Sequence, residues 1–176
     1  MIVSIRTMNL SEVDHVMDYF HDASAEYLEI LGVDPTRLPS LLQWRKLFEA
    51  DFALPVGQRR NFYLLWERDG KPAGFSSADK IKFGQEAYMH LHVFDPLNRA
   101  TGLGAEAVRK SVDLYFDALK LQKLFCEPNA FNVAPNRALQ KAGFRYVKTH
   151  NTVPGPLNFH QAVTQWVFDR AKKNDA

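Results

Sequence analysis

A predicted strand, a short loop and a glycine-containing start of a long amphipathic helix follow one another between residues 87 and 120. The run Ala87–Phe94 predicts a strand. Gly102 and Gly104 precede apolar residues at helical spacing, which predict a helix over Gly102–Lys120. Glycines allow a close backbone approach, and the first N–H groups of a helix lack intrahelical partners and carry positive potential. The segment therefore predicts an anion site at residues 99–105.

The other patterns predict a single mixed-sheet α/β domain over residues 1–170, followed by a polar tail at 171–176. Apolar and alternating runs predict six further strands: Ile2–Arg6, Asn61–Glu67, Ala73–Ala78, Lys123–Cys126, Phe144–Lys148 and Val163–Phe168. Helical spacing appears after Asn9, around Tyr27, from Leu41 to Phe48 and over Asn132–Ala142. Asp69-Gly70 predicts a hairpin turn between two of the strands.

Composition excludes several classes of protein. The 176 residues are 46% hydrophobic, which suffices for one core, and the single cysteine, Cys126, predicts a reducing compartment. A net charge of +2 without a long basic run argues against nucleic-acid binding. No signal-peptide pattern or membrane-length apolar run is present in the sequence. We therefore expect a cytoplasmic protein that binds neither nucleic acid nor membrane.

Taken alone, a strand followed by Gly-x-Gly and a helix has several interpretations. The glycines can simply form a tight turn between the two elements. A dinucleotide fingerprint lacks its third glycine, since Ala105, Glu106 and Ala107 follow Gly104. A Gly-Lys-Ser/Thr phosphate loop is also absent from the sequence.

The wider pattern resembles the GNAT superfamily of N-acyltransferases. Its acyl-CoA-binding motif is similar to Arg99-x-x-Gly102-x-Gly104, placed here after a strand that ends at Val93. Asn132 and the Gly143-Phe144 pair match the helix and following strand of that family. The pattern is nearest to members that resemble ribosomal-protein N-terminal acetyltransferases. The resemblance implies a mixed, mostly antiparallel central sheet of about six to seven strands, flanked by helices on both faces.

The resemblance also implies acetyl-CoA as co-substrate, without a metal. Main-chain N–H groups of the loop would bind its pyrophosphate: Arg99, Ala100, Thr101, Gly102, Leu103 and Gly104. The main chain of Leu91, His92 and Val93 would run beside the pantetheine arm, and Asn132 would hydrogen-bond that arm. The acceptor amine would enter from the opposite side and attack the thioester directly.

The chain departs from the family at the catalytic groups. Many members carry a tyrosine where this sequence has Leu139, and a glutamate in the strand where Ala87–Phe94 has none. His90 and His92 are the replacements that the sequence offers, because histidine titrates near working pH. Each can instead be a core or surface histidine, and a two-histidine metal site lacks further ligands in this segment. Glu127 and Asn129 rank second as candidates.

The acceptor remains open at this level, as either a protein N-terminus or a small primary amine. We expect its specificity in the N-terminal helices and the turn-rich loop His150–Phe159, with Trp44, Tyr19 and Tyr27 near the cleft. No acidic cluster indicates a polycationic acceptor. The alternative function is a catalytically silent acyl-CoA-binding module, and a homodimer is possible.

Overall fold

A computed structural model of the protein describes residues 1–95 and 101–171. Within them, the chain forms seven strands and five α-helices. The strands are β1 Val3–Thr7, β2 Phe62–Arg68, β3 Lys71–Lys82, β4 Glu86–Val93, β5 Lys123–Cys126, β6 Arg145–Thr152 and β7 Gln161–Asp169. The helices are α1 Asp14–His21, α2 Ala25–Leu31, α3 Leu41–Phe52, α4 Leu103–Leu119 and α5 Val133–Lys141.

One seven-stranded sheet, in the order β1-β2-β3-β4-β5-β7-β6, organises the domain. Neighbouring strands are antiparallel except for β4 and β5, which run parallel. The parallel pair is joined by the long crossover through α4, as a parallel connection requires. The predicted mixed, mostly antiparallel sheet of six to seven strands is therefore confirmed.

Two apolar clusters lie on opposite faces of the sheet, because side chains alternate along each strand. On one face, α4 and α5 bury residues such as Tyr115, Phe116 and Leu139 against Leu64 and Trp66. The other face carries α1, α2 and α3. That second cluster comprises Met8, Val13, Val16, Met17, Phe20, Leu28, Val33, Trp44, Phe48, Leu65 and Phe75. Helices thus cover both faces, as predicted.

Helix ends follow local rules that the sequence carries. The hydroxyl of Ser24 accepts a hydrogen bond from Tyr27 N–H at the start of α2, and Gly32 ends that helix at φ 71°. Ser40 and Gln43 form a capping box at the start of α3. These caps fix where α2 begins and ends and where α3 begins.

The predicted loop His150–Phe159 is wrong at its first end. β6 pairs with β7 as far as Thr152↔Gln161, so His150 lies on a strand. The run from Arg145 to Thr152 is polar and mostly exposed, which hides its strand character from a hydrophobicity pattern. The connection to β7 is therefore residues 153–160, which we name the β6–β7 strap. No helix in the described residues is long and apolar enough to cross a membrane.

Candidate active site

Strands β4 and β5 separate at the centre of the sheet. Their parallel pairing runs from Glu86↔Lys123 to Met89↔Cys126, and β4 continues for four residues beyond it, to Val93. On its other edge β4 stays paired with β3 to Gly74↔Val93, in an uninterrupted register from Asp79↔Tyr88. The separation therefore leaves one edge of residues 90–93 facing a gap in the sheet.

The main-chain N–H and C=O groups of β4 are directed alternately toward the two edges of the strand. Phe94 N–H donates to Ala73 O at 3.0 Å, so alternate residues before it, including His92, direct their amide groups toward β3. Leu91 and Val93 then direct their N–H and C=O groups toward the gap. Main-chain groups that reach a gap in this way can pair with an extended ligand as an added strand does.

The β3 edge holds the main chain of β4 in a close fit. A Cβ at Gly74 would lie 2.4 Å from the carbonyl oxygen of His92, which is closer than real Cβ contacts allow. Gly74 thus allows the two strands to approach at the residues whose amides face the gap. The sequence analysis did not single out this glycine, although a glycine inside an apolar strand pattern is a known sign of close backbone approach.

The start of α4 is the described part of the segment predicted to bind an anion. Gly102 has φ 90°, and a Cβ there would meet no atom of the described residues within 4 Å. Glu106 N–H donates to Gly102 O at 3.2 Å, so the N–H groups between these two residues precede the first intrahelical bond. Leu103 is fully buried, which leaves only its main chain for a ligand. Arg99 and Ala100, predicted for the same loop, lie outside the described residues.

Asn132 lies at the N-cap of α5 and lines the cleft between the separated strands. Its carbonyl oxygen accepts a hydrogen bond from Asn136 Nδ2 at 2.8 Å, while its side chain makes no capping bond to the helix. Asn136 Oδ1 in turn accepts from the indole of Trp166. The main chain of Asn132 is thus fixed, while its side-chain amide forms no hydrogen bond with the described residues and lines the cleft.

His92 lies within an aromatic cluster on the face covered by α1, α2 and α3. Its ring stacks on Phe75 with 4.7 Å between centroids and meets Tyr19 and Phe20 edge-on at 5.1 Å. The Nδ1 atom is buried without a hydrogen-bond partner among the described residues, although the residue as a whole is half-buried. Burial, helped by the neighbouring His90, lowers the pKa of His92 to about 3. This histidine is therefore neutral at working pH.

His90 occupies the same face two residues earlier, next to a carboxylate. Its Nε2 lies 3.1 Å from Asp79 Oδ1, and the side chain of His90 is 24% exposed. The two atoms are close enough for an ion pair but not aligned for a hydrogen bond, so both count as unsatisfied buried atoms among the described residues. A carboxylate beside an imidazole stabilises the charged form of the ring.

Asp79 is the functional candidate that the sequence analysis missed. The predicted strand ended at Ala78, whereas β3 continues to Lys82. The alternation of Phe75, Ser77 and Asp79 places all three on the face of the two histidines. Extending the strand by one residue in this alternation would have identified the carboxylate.

Glu127 belongs to a separate hydrogen-bonded group at the end of β5. Its Oε1 accepts from Gln165 Nε2 at 2.7 Å and lies 2.9 Å from His150 Nε2. Asn129 donates to Gln161 Oε1 at 2.8 Å. Both second-rank candidates line the cleft, but each is already engaged by neighbouring side chains.

The β6–β7 strap forms one wall of the cleft. At one end Lys80 Nζ donates to Pro154 O at 2.7 Å, and the same ammonium lies 4.7 Å from the centre of the Tyr88 ring. Next in the strap, Gly155 lies against the ring of His90. At the other end a Val33↔Asn158 bridge joins the strap to the segment after α2.

The cleft brings together four of the eleven site residues predicted from the sequence, whereas Val93 and the start of α4 are not among its lining residues. Leu91, His90, His92 and Asn132 all line it, as does Trp44. Tyr19 and Tyr27 line a second, shallower pocket, and their hydroxyl groups lie 2.7 Å apart. The described residues contain no group of three or more histidine, cysteine or acidic side chains placed to hold a metal ion.

A family model described as an acetyltransferase (GNAT) domain matches residues 3–145. No curated protein sequence matches the chain significantly.

Among solved structures, the fold is similar to a chimera of the spermidine N-acetyltransferase SpeG from Vibrio cholerae and hSSAT, with TM-score 0.77, 14% identity and 99% of both chains covered. It is also similar to the aminoglycoside acetyltransferase AAC(6')-Ib in complex with coenzyme A, with TM-score 0.73, 17% identity and 99% of both chains covered. A third is RimL, a ribosomal alpha-N-protein acetyltransferase in complex with coenzyme A, with TM-score 0.74, 14% identity and coverage of 95% of this chain and 93% of that one. At these identities the likeness concerns the fold.

Proposed function

Since this chain belongs to the GNAT acetyltransferase family, we propose that it transfers the acetyl group of acetyl-CoA directly to a primary amine, with His90 as the proton acceptor. As a member of that family it is an acetyl-CoA-dependent acyltransferase. The observation that carries the proposal is the pair of His90 and Asp79, which lies in the cleft where β4 and β5 separate.

The main chain and one amide would hold acetyl-CoA. The pyrophosphate fits the start of α4, where Gly102 leaves open space and the N–H groups after it precede the first helical bond. The pantetheine arm would pair with Leu91 and Val93 and meet the side chain of Asn132. These assignments use groups that the fold leaves without intrachain hydrogen bonds in the described residues.

Proton removal begins the chemical step. An amine is protonated in water, and only its neutral form has a lone pair for attack on the thioester carbon. His90 accepts one proton from the ammonium, directly or through a water molecule, and the carboxylate of Asp79 stabilises the imidazolium. The ring of His92 is neutral and packed among aromatic side chains, so it is not assigned to proton transfer. Its main chain, which was predicted to run beside the pantetheine arm, is directed toward β3 instead.

Collapse of the tetrahedral intermediate breaks the carbon–sulfur bond and leaves a thiolate. Leu139 is fully buried in the apolar core, so α5 offers no hydroxyl at this position to protonate the sulfur. The nitrogen of the intermediate still carries one surplus proton, which passes to the departing sulfur, directly or through water. The proton held by His90 is then released to solvent, so that the products are the neutral amide, the free thiol of CoA and one proton. A main-chain N–H group of Leu91 or Val93 would stabilise the developing oxyanion, a contribution of about 3–4 kcal/mol where donors are preorganised.

Direct transfer also agrees with the state of the cysteine that lines the cleft. Cys126 is a buried free thiol, and burial raises its pKa well above the ordinary range. A thiol of this kind is not an effective nucleophile, because the thiolate is the reactive form. An acyl-enzyme on Cys126 is therefore not needed in the proposed reaction.

A thermal-unfolding scan with and without acetyl-CoA tests the binding half of the proposal. At a ligand concentration of about 100 times the dissociation constant, the folded state gains about 2.7 kcal/mol, which raises the unfolding midpoint visibly. Acetate and adenosine serve as controls, because neither contains the pantetheine arm or the pyrophosphate. No shift at millimolar acetyl-CoA would contradict the proposal.

Thiol release with a panel of amines tests the chemical half. Release that depends on both acetyl-CoA and an amine is the expected result. Binding of acetyl-CoA without turnover across the whole panel would instead support a silent acyl-CoA-binding module.

A further inference from the structure

We infer that the acceptor is a small amine with a single positive charge and an apolar, planar body, such as an arylalkylamine. This inference rests on the proposed function, since it concerns the acceptor half of the same cleft. The charges, the apolar surface and the closed side of that half support it.

The charge in the cleft fits one ammonium group. Two carboxylates are among its described lining residues, Asp79 and Glu127, and no lysine or arginine accompanies them there. Glu127 is already engaged by His150 and Gln165. Asp79 is only 8% exposed, and its Oδ1 has no hydrogen-bond partner among the described residues. A second or third ammonium group would be desolvated here without a carboxylate of its own.

Part of the remaining surface is apolar and aromatic, beside polar residues such as Asn61 and Ser77. Trp44 and Phe48 stack with 16° between their rings, and Phe20 lies 5.8 Å from Trp44. Trp44, Phe20 and Phe75 all line the cleft, together with Leu31, Val33 and Leu157. Aromatic and branched side chains around one fixed polar group are typical of a site for an apolar ligand with one polar end.

The side of the cleft next to α2 is closed by hydrogen bonds. Asp34 N–H donates to Leu157 O at 2.8 Å, and Phe159 N–H donates to Gly32 O at 3.2 Å. The side chains of Asn158 and Gln161 both donate to the same Gly32 carbonyl oxygen, at 2.9 and 2.8 Å. A peptide that continued from an acetylated N-terminus would have to break these bonds to leave on this side. The closed wall therefore favours a small molecule.

A panel of acceptors on the wild-type protein tests the inference directly. We would compare kcat/KM for 2-phenylethylamine, butylamine, spermidine and a short peptide with a free N-terminus, at saturating acetyl-CoA. We expect 2-phenylethylamine to exceed each of the others by about tenfold or more, as a filled apolar pocket commonly provides. A preference for spermidine or for the peptide would overturn the inference while leaving the proposed function intact. No turnover with any amine would instead count against the proposed function.

A matched pair of variants on α3 locates the effect. Trp44 lines the cleft and is 7% exposed, whereas Leu42 on the same helix is 67% exposed. Trp44→Ala should reduce the advantage of 2-phenylethylamine over butylamine to about twofold without changing the acetyl-CoA-induced thermal shift. Leu42→Ala should change neither quantity. An undiminished advantage in folded Trp44→Ala would contradict the assigned pocket, and the wild-type panel decides the question if that variant does not fold.

Discussion

The two halves of the cleft are built in different ways. The half proposed for acetyl-CoA would use the main chain of Leu91 and Val93 and the start of α4, which lie in one stretch of sequence. The acceptor half takes side chains from α1, α2, α3, β3 and the β6–β7 strap. The first half therefore depends on local backbone geometry, and the second depends on tertiary packing.

The difference explains what each half can recognise. Backbone amides and a helix N-terminus bind an extended arm and a phosphate whatever side chains surround them. Side chains from five elements define a pocket whose shape changes with any one of them. The same fold can thus keep its co-substrate while its acceptor varies, in agreement with the low identity to the spermidine, aminoglycoside and ribosomal acetyltransferases of similar fold.

The largest expected effect tests the backbone half. Gly102→Val places a branched side chain where phosphate must approach, so we expect the dissociation constant for acetyl-CoA to rise by about 100-fold or more. Gly84→Val is the matched control, since Gly84 also has positive φ and open space around a Cβ, but lies in the β3–β4 turn. Both variants should lose similar stability from the strained backbone. Calorimetric titration with acetyl-CoA measures the difference, and unchanged affinity in folded Gly102→Val would refute the phosphate assignment.

The next effect separates the two histidines of β4. His90→Ala should lower kcat by about 100-fold, because general base catalysis commonly contributes that much, while leaving acetyl-CoA affinity nearly intact. His92→Phe should lower kcat far less, since Phe75, Phe20 and Tyr19 already surround the ring. Initial rates at saturating substrates measure both. Equal losses in the two variants would mean that the ring of His92 takes part in proton transfer, and full activity in both would remove histidine from the mechanism.

Local patterns predicted the fold well. The crossover helix, the strand β5 and the N-cap position of Asn132 follow from apolar spacing and helix-capping rules that act within a few residues. The family resemblance rested on these same elements, and the family match confirms it.

The acceptor half was less accessible to sequence analysis. The sequence around Asp79 does not predict that its carboxylate lies 3.1 Å from a histidine on the next strand. Only the register of β3 with β4 brings the two together, and register depends on the whole sheet. The predicted strand that corresponds to β6 ended too early for the same reason. Pairing with β7 makes these polar residues a strand, although their composition does not indicate one.

The smallest effect concerns the stability of the acceptor half in acid. Burial lowers the pKa of His92 from 6.5 to about 3 in the folded protein. Between these values the unfolded chain binds a proton at this residue and the folded protein does not, so stability falls as the pH drops below 6.5. The slope due to one such group is at most about 1.4 kcal/mol per pH unit. His92→Phe cannot take up the proton, so its stability should fall less steeply between pH 7 and pH 5.

Urea unfolding at several pH values measures the two slopes, and His160→Gln, which removes an exposed histidine, is the control that should keep the wild-type slope. If His92→Phe keeps the wild-type slope as well, its ring is not held neutral by the aromatic cluster. The distinction between a packed, neutral His92 and a catalytic His90 would then fail.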